Sequence, residues 1–180
     1  MVERLILIGF MCSGKSTVGR LVAERLGWDF VDFDEAIERR TGKRIADIFS
    51  EDGEEAFRGL EAEASHQVAD LRRVVLAPGG GWVTQSDLVD VLRSASHIVW
   101  LRVGPETVLE RQAGQKGVER PLLAVEDPLA TVRSLLSERE PLYQLADAVV
   151  DTDGREAEKV AEQVLESLGC VEARRGDEGC

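Results

Sequence analysis

Short apolar segments alternate with longer amphipathic segments along this chain of 180 residues. Five short segments have the apolar character of buried strands: residues 5–8, 29–32, 73–77, 97–101 and 148–150. Apolar residues at helical spacing fill most of the intervals: residues 15–26, 86–93, 128–145 and 155–168, with a further helix beginning at Pro105. Strands that alternate with helices predict an α/β fold, with a parallel sheet covered by helices on both faces.

Two stretches depart from this alternation. Residues 34–69 are helical in pattern and strongly charged, with breaks predicted near Gly42 and Gly53. Residues 113–120 contain two glycines and lack apolar periodicity, which predicts a mobile loop. We expect residues 1–170 to form a single domain and the polar residues 171–180 to form a flexible tail.

Composition narrows the range of partners. The net charge of −12 disfavours nonspecific nucleic-acid binding, because such binding needs a basic surface. No apolar run approaches the roughly 18 residues that cross a membrane. Cys12, Cys170 and Cys180 have no metal-ligand spacing and no paired framework, so we expect a reducing, cytoplasmic location. An anionic ligand would require arginines to be concentrated at its site.

The strongest motif is Gly-Phe-Met-Cys-Ser-Gly-Lys-Ser-Thr at residues 9–17, which matches G-x-x-x-x-G-K-[ST] in full. Its glycines let the backbone wrap around phosphate oxygens, and the next helix points its positive end at the same anion. Lys15 can reach the β- and γ-phosphates of ATP, and Ser16 can ligate Mg²⁺. The residues expected to contact ATP here are Met11, Cys12, Ser13, Gly14, Lys15, Ser16 and Thr17. The alternative, a glycine turn with an unrelated lysine, fits the flanking strand and helix less well.

Two aspartates follow the second predicted strand, at the edge of a parallel sheet where ligands bind. Asp32 and Asp34 are two residues apart and point the same way if the strand continues through them. Asp32 could hold the Mg²⁺ shell through water, and Asp34 could accept a hydrogen bond from an attacking hydroxyl. The alternative is a pair of strand-end or helix-capping aspartates.

Arg58 and Glu61 are three residues apart, and are therefore neighbours on one helical face. An arginine braced by a carboxylate can bind a substrate carboxylate with two hydrogen bonds. A solvated ion pair is the alternative. Residues 78–81, Pro-Gly-Gly-Gly, follow the third strand, where backbone amides could approach a ligand or form a plain flexible turn.

Two more arginines are candidates. Arg120 closes the predicted loop, and an arginine delivered by a lid can neutralise charge on a transferring phosphoryl group. Arg139 precedes Pro-Leu-Tyr and could complete a carboxylate clamp with Arg58. Either could instead be ordinary surface charge.

Together, these segments resemble the shikimate kinase family over residues 5–168. The resemblance rests on GFMCSGKSTVGRLVAERL, FVDFDEAIE, RIADIFSEDGEEAFRGLE, VVLAPGGG, RPLL and, from Arg139 to Asp147, RxPLYxxxAD. It implies a P-loop kinase of the nucleoside-monophosphate-kinase type, with a five-stranded parallel sheet in the order 2-3-1-4-5 flanked by helices. It also implies an acceptor-binding helical region near residues 33–61 and a lid near residues 112–124.

The resemblance further implies a function: Mg²⁺- and ATP-dependent phosphorylation of the shikimate 3-hydroxyl, in chorismate and aromatic amino-acid biosynthesis. The residues implied for shikimate are Asp34, Arg58, Gly80 and Arg139, with Glu61, Gly79 and Gly81 close by. Those implied for the other ligands are Lys15 and Arg120 for ATP phosphates, Arg111 and Arg155 for adenine, and Ser16 and Asp32 for Mg²⁺. We expect a monomer that binds neither nucleic acid nor membrane.

Three features depart from the family pattern. Arg44 stands where serine is frequent, Trp82 follows the triple glycine where a small residue is commoner, and the lid is longer than in some relatives. Since Trp82 lies near the predicted pocket, we expect it to affect substrate affinity. Three rival functions stay open: another kinase of this fold such as gluconate kinase, a nucleotide kinase, and a catalytically silent nucleotide-binding module.

Overall fold

The structure, a computed structural model, describes residues 2–114 and 125–177. Its strands are β1 (Arg4–Ile8), β2 (Asp29–Asp32), β3 (Val74–Ala77), β4 (Ser96–Arg102) and β5 (Ala148–Asp151). Within the described residues they form one parallel sheet in the order β2-β3-β1-β4-β5. The predicted strand order is confirmed.

Helices connect the strands and cover the sheet. The α-helices are α1 (Lys15–Leu26), α2 (Phe33–Thr41), α3 (Ile45–Asp47), α4 (Gly53–Val68), α5 (Ser86–Arg93), α6 (Pro105–Gly114), α7 (Pro128–Tyr143) and α8 (Ala157–Asp177). A π-helical turn, Ile48–Asp52, leads into α4, and a 3₁₀ turn, Trp82–Thr84, leads towards α5. None of the helices in the described ranges is long and apolar enough to span a bilayer.

The central strand shows why both faces must be covered. All five residues of β1 are buried, and successive side chains point to opposite faces of the sheet. Leu5 and Leu7 pack into a cluster with residues of α1 and α8. Ile6 and Ile8 pack into the opposite cluster with residues of α4, α5 and α7. The apolar residues of β1 therefore form the middle layer of a three-layer core, with helices packed on both faces of the sheet.

Several boundaries differ from the prediction. The strand ends at Asp32, and Phe33 already begins α2, so Asp34 lies on a helix and not on a continuing strand. Residues 113 and 114, predicted as loop, belong to α6. The last helix runs to Asp177. The residues after Gly169 have no apolar stripe and were therefore expected to form a tail, but they include strong helix formers.

Candidate active site

The phosphate loop turns tightly between β1 and α1. Gly9 has a φ of +147°, and a Cβ there would lie 2.5 Å from the carbonyl oxygen of Leu101 on β4. Gly14 has a φ of +94°, in the left-handed region that favours glycine. The Nζ of Lys15 donates to the carbonyl oxygens of Gly9 and Phe10 at 2.8 and 2.9 Å. The lysine head therefore lies directly over the loop.

The start of α1 is suited to an anion. Gly14 supplies no side-chain cap, so the N–H groups of the first turn remain open to a phosphate. The hydroxyl of Ser13 is buried and, among the described residues, has no hydrogen-bond partner. A buried polar atom of this kind normally has a partner, and a phosphate oxygen would provide one.

Ser16 and Asp32 meet at the end of β2. The Ser16 hydroxyl donates to Asp32 Oδ2 at 2.5 Å, while Asp32 Oδ1 accepts from the backbone N–H of Glu35 at 3.3 Å and caps α2. Asp32 therefore caps a helix and also faces the phosphate loop, so the two alternatives weighed from the sequence are compatible. Its oxygens and that of Ser16 are the hard donors that Mg²⁺ prefers.

One cavity of about 140 Å³ joins the carboxyl ends of β1, β2 and β3. Its lining residues are Met11, Cys12, Gly14, Lys15, Ser16, Thr17, Asp32, Asp34, Ala77, Pro78, Gly79 and Gly80. The structure thus brings Asp34 together with the phosphate loop and the triple glycine, although Asp34 reaches the cavity from α2. This is the edge where parallel sheets bind their ligands.

Arg58 and Glu61 form an ion pair on α4, with Arg58 Nη1 2.5 Å from Glu61 Oε2. The Glu61 side chain is fully buried and that of Arg58 is 22% exposed, so this pair is not the solvated one that the sequence left open. Burial raises the pKa of the Glu61 carboxyl, and Arg58 only partly offsets that effect. For Arg58, burial opposes the charged form, but Glu61 and Glu54 outweigh it and raise the pKa of the guanidinium.

Each glycine of the triple-glycine loop is approached by a different part of the site. A Cβ on Gly79 would lie 2.5 Å from Glu61 Oε1, and one on Gly81 would lie 2.5 Å from Arg58 Nη2. A Cβ on Gly80 would lie 3.1 Å from the backbone nitrogen of Met11 in the phosphate loop. Close packing therefore requires these glycines, which argues against a plain flexible turn.

Arg139 on α7 lies at the other side of this loop. Its Cζ is 5.6 Å from the centroid of the Phe10 ring, and its guanidinium lies beside the Tyr143 hydroxyl. That hydroxyl donates to the carbonyl oxygen of Gly80 at 2.7 Å. Burial raises the pKa of Tyr143 to about 12, and the charge of Arg139 acts in the opposite direction. Both arginines expected on the acceptor side thus contact the unit formed by the phosphate loop and the triple glycine.

Of the two residues expected near adenine, Arg111 contacts the phosphate loop. Arg111 Nη1 donates to the carbonyl oxygen of Cys12 at 2.9 Å, and its Nη2 donates to that of Thr152 at 2.6 Å. Arg155 follows Thr152 closely, and its side chain is exposed and bonded to Gln163. Arg120 and most of the expected lid lie outside the described residues.

Two residues that support the site, Gln85 and Tyr143, were not singled out from the sequence. Trp82, expected near the pocket, is fully buried in the core, donates from Nε1 to Ser65 at 3.0 Å and is not among the residues that line the cavity. Gln85 donates from Nε2 to Glu61 Oε2 at 3.0 Å. Tyr143 could have been recognised, because it lies four residues after Arg139 on the same helical face. Arg44, the other departure from the family pattern, pairs with Asp47 at an exposed position.

The strand order, the phosphate loop and the cavity beside it define a P-loop kinase fold of the nucleoside-monophosphate-kinase type. The family model described as "Shikimate kinase" matches residues 11–169. A shikimate kinase from Moorella thermoacetica is 48% identical over 168 residues, which are 93% of this chain and 95% of that protein. One from Thermus thermophilus is 46% identical over 162 residues, covering 90% of this chain and 88% of that protein.

Solved structures agree. A shikimate kinase from Acinetobacter baumannii in complex with shikimate superposes with a TM-score of 0.87 at 37% identity, over 93% of each chain. A gluconokinase from Sinorhizobium meliloti has a TM-score of 0.68 at 16% identity, over 99% of this chain and 98% of that one, and shares the fold alone. The chain belongs to the shikimate kinase family.

Proposed function

We propose that this chain transfers the γ-phosphoryl group of ATP to the 3-hydroxyl of shikimate, giving shikimate 3-phosphate and ADP. The observation that carries the proposal is the meeting of the phosphate loop with Arg58, Arg139 and Asp34 around one glycine loop. A relative of the same fold is described with shikimate bound. The reaction is a step of aromatic amino-acid biosynthesis.

At the phosphate end, the chain contributes alignment and positive charge. The transition state of phosphoryl transfer is loose, so catalysis depends on positioning and charge neutralisation. Lys15 leaves its two carbonyl partners in the loop and contacts the β- and γ-phosphates. Ser16 would hold Mg²⁺, with Asp32 in its outer shell, and the metal when bound offsets charge on the phosphates.

At the acceptor end, Arg58 and Arg139 grip the shikimate carboxylate. A guanidinium has five N–H donors. Among the described residues, Arg58 donates to two carboxylates, from Nη1 to Glu61 and from Nη2 to Glu54. Donors therefore remain for a ligand. Because the chain has a net charge of −12, this local positive charge is what attracts an anionic substrate.

Asp34 orients the substrate through its hydroxyl groups, and Gly80 lets the substrate approach the backbone. The oxygen of the 3-hydroxyl forms a bond to the γ-phosphorus while the bond to the β,γ-bridging oxygen breaks. The hydroxyl proton passes to Asp34 late in the step, and the electron pair of the broken bond stays on ADP. Strong base catalysis is not needed, because bond breaking leads in a loose transition state.

The remaining assignments complete the nucleotide site. Arg120 contacts the phosphates from the lid, and the adenine ring lies between Arg111 and Arg155. The tie from Arg111 to the phosphate loop and to Thr152 supports this assignment, since it brings those two segments together. We expect a monomer that acts in the cytoplasm, where ATP is supplied.

A coupled ADP-release assay tests the function. The wild-type protein with ATP and Mg²⁺ is given shikimate, gluconate or no acceptor, at equal concentrations. We expect release that depends on shikimate and stays at the acceptor-free level with gluconate. Equal stimulation by both acids would assign a broader hydroxy-acid kinase, and no stimulation by either would overturn the proposal.

A further inference from the structure

Two hydrogen bonds tie the segment after the triple glycine to α4. Gln85 donates to the side chain of Glu61 at 3.0 Å. Trp82 donates to Ser65, and Ser65 donates at 2.9 Å to the backbone carbonyl of Glu61. Gln85 therefore holds the Glu61 carboxylate directly, whereas Trp82 is linked to the Glu61 main chain only through Ser65. Neither bond involves a residue that lines the cavity.

The Glu61 carboxylate is held asymmetrically. Its Oε2 accepts from both Arg58, at 2.5 Å, and Gln85, whereas its Oε1 is buried, faces Gly79 and, among the described residues, has no hydrogen-bond partner. The charged groups around it are Arg58 and, through Arg58, Glu54 on its own helix, and Asp34 on α2. Gln85 is the neutral contact from the segment between the 3₁₀ turn and α5.

We infer that Gln85 is a positioning residue for acceptor binding: its amide fixes the Glu61 carboxylate in the orientation in which that carboxylate braces Arg58 against the triple glycine. Gln85 touches no substrate and acts through Glu61. The inference rests on the proposed function, in which Arg58 grips the shikimate carboxylate.

A neutral donor is what this position needs. Without the amide, the buried carboxylate keeps Arg58 as its one donor among the described residues. A buried carboxylate with fewer donors holds its proton to higher pH. A protonated Glu61 would no longer pair with Arg58 as an ion, and the guanidinium would lose its fixed direction. A second carboxylate here would favour that proton more strongly, since like charges repel.

The side chain can be changed without disturbing the start of α5. The backbone carbonyl of Gln85 accepts from the N–H groups of Leu88 and Val89, at 3.0 and 3.3 Å, independently of the amide. Gln85→Met keeps the length and removes the donor, and Gln85→Glu adds a negative charge in nearly the same shape. Gln67→Glu makes the same charge change at an exposed position on α4 and is the matched control.

The experiment measures KM and kcat for shikimate across pH for the wild type and these variants. We expect Gln85→Met to raise KM for shikimate about tenfold, because the variant loses a hydrogen bond to a charged group. Its kcat and its KM for ATP should stay near the wild-type values. KM should rise as pH falls through the Glu61 titration. Its midpoint should move to higher pH in Gln85→Met and further in Gln85→Glu, with Gln67→Glu unchanged.

Unfolding by denaturant across the same pH range provides a readout without turnover. The free energy of unfolding should fall as pH rises and Glu61 ionises, and in the two Gln85 variants this fall should continue to higher pH than in the wild type. This result does not depend on whether the protein acts on shikimate. Midpoints that stay at the wild-type pH in both assays would overturn the inference, as would a KM that falls in Gln85→Met. A wild type without shikimate-dependent ADP release would instead refute the proposed function.

Discussion

Replacing Arg58 with alanine should destabilise the protein in a way that depends on pH. The substitution removes the 2.5 Å contact to Glu61 Oε2 and leaves a fully buried carboxylate with Gln85 as its donor. Breaking a buried ion pair by removing one partner costs about 3–5 kcal/mol. For a domain of this size, each kcal/mol lowers Tm by about 2–4 °C, so we expect a decrease of roughly 6–20 °C near neutral pH.

The pH dependence follows from the direction of the shift. Burial raises the pKa of Glu61 in the folded wild type, and Arg58 holds it down, so the variant has a still higher folded pKa. Ionisation of Glu61 therefore costs more in the variant, and the cost appears as pH rises from the wild-type folded pKa to that of the variant. Below this window both proteins carry a neutral Glu61, and the difference in stability should narrow.

Urea unfolding at a series of pH values measures this cost directly. Arg133→Ala is the control, because Arg133 pairs with Glu106 at 2.6 Å while both side chains are more than half exposed. An exposed pair of this kind is screened by solvent and contributes little to stability. Equal costs for the two substitutions, or a cost for Arg58→Ala that does not change with pH, would refute the role assigned to burial.

Three further predictions concern the phosphate loop and its neighbours. Lys15→Met should abolish ADP release while leaving the far-ultraviolet circular dichroism unchanged; appreciable turnover would remove the lysine from the mechanism. Gly80→Ala should lower the free energy of unfolding in urea by about 1–3 kcal/mol, because its Cβ would crowd the phosphate-loop backbone. Gly59→Ala, in open space on α4, should instead raise it by about 0.5–1 kcal/mol. Equal effects would contradict this contrast. Tyr143, the 1 tyrosine in the chain, should ionise near its raised pKa of about 12 in an absorbance titration, and the stability lost between pH 10 and 12 should be absent in Tyr143→Phe; ionisation near 10 would contradict its burial.

The fold was largely predictable because its local signals are strong. The bounds of α1, β2 and α5 match the sequence prediction. Gly27 ends α1 with a φ of +62°, and a glycine directly after a helical pattern is a helix-end signal that can be recognised from sequence. The π-helical turn before α4 was not predicted, since nothing in its composition separates it from an α-helical turn. The length of α8 was missed because polar helix formers resemble a tail when no apolar stripe marks them.

The candidate site was predictable where one motif or a short spacing defines it. The phosphate loop and the pair of Arg58 and Glu61 depend on local spacing, and both were recognised. Gln85 lies 24 residues from Glu61, and a lone glutamine has no signature, so only the folded chain reveals the contact. The bond from Trp82 to Ser65 likewise joins residues that no sequence pattern links, and the expected effect of Trp82 on substrate affinity stays a prediction.

The central claim is that the chain moves a phosphoryl group from ATP to one hydroxyl of a carboxylate-bearing ring. Phosphorus and proton NMR of the complete reaction test it directly, with Lys15→Met as the inactive control. We expect one new phosphomonoester whose phosphorus couples to the ring proton at carbon 3 of shikimate, together with an equal amount of ADP. Inorganic phosphate with unchanged shikimate, or a phosphoester at another hydroxyl, would contradict it.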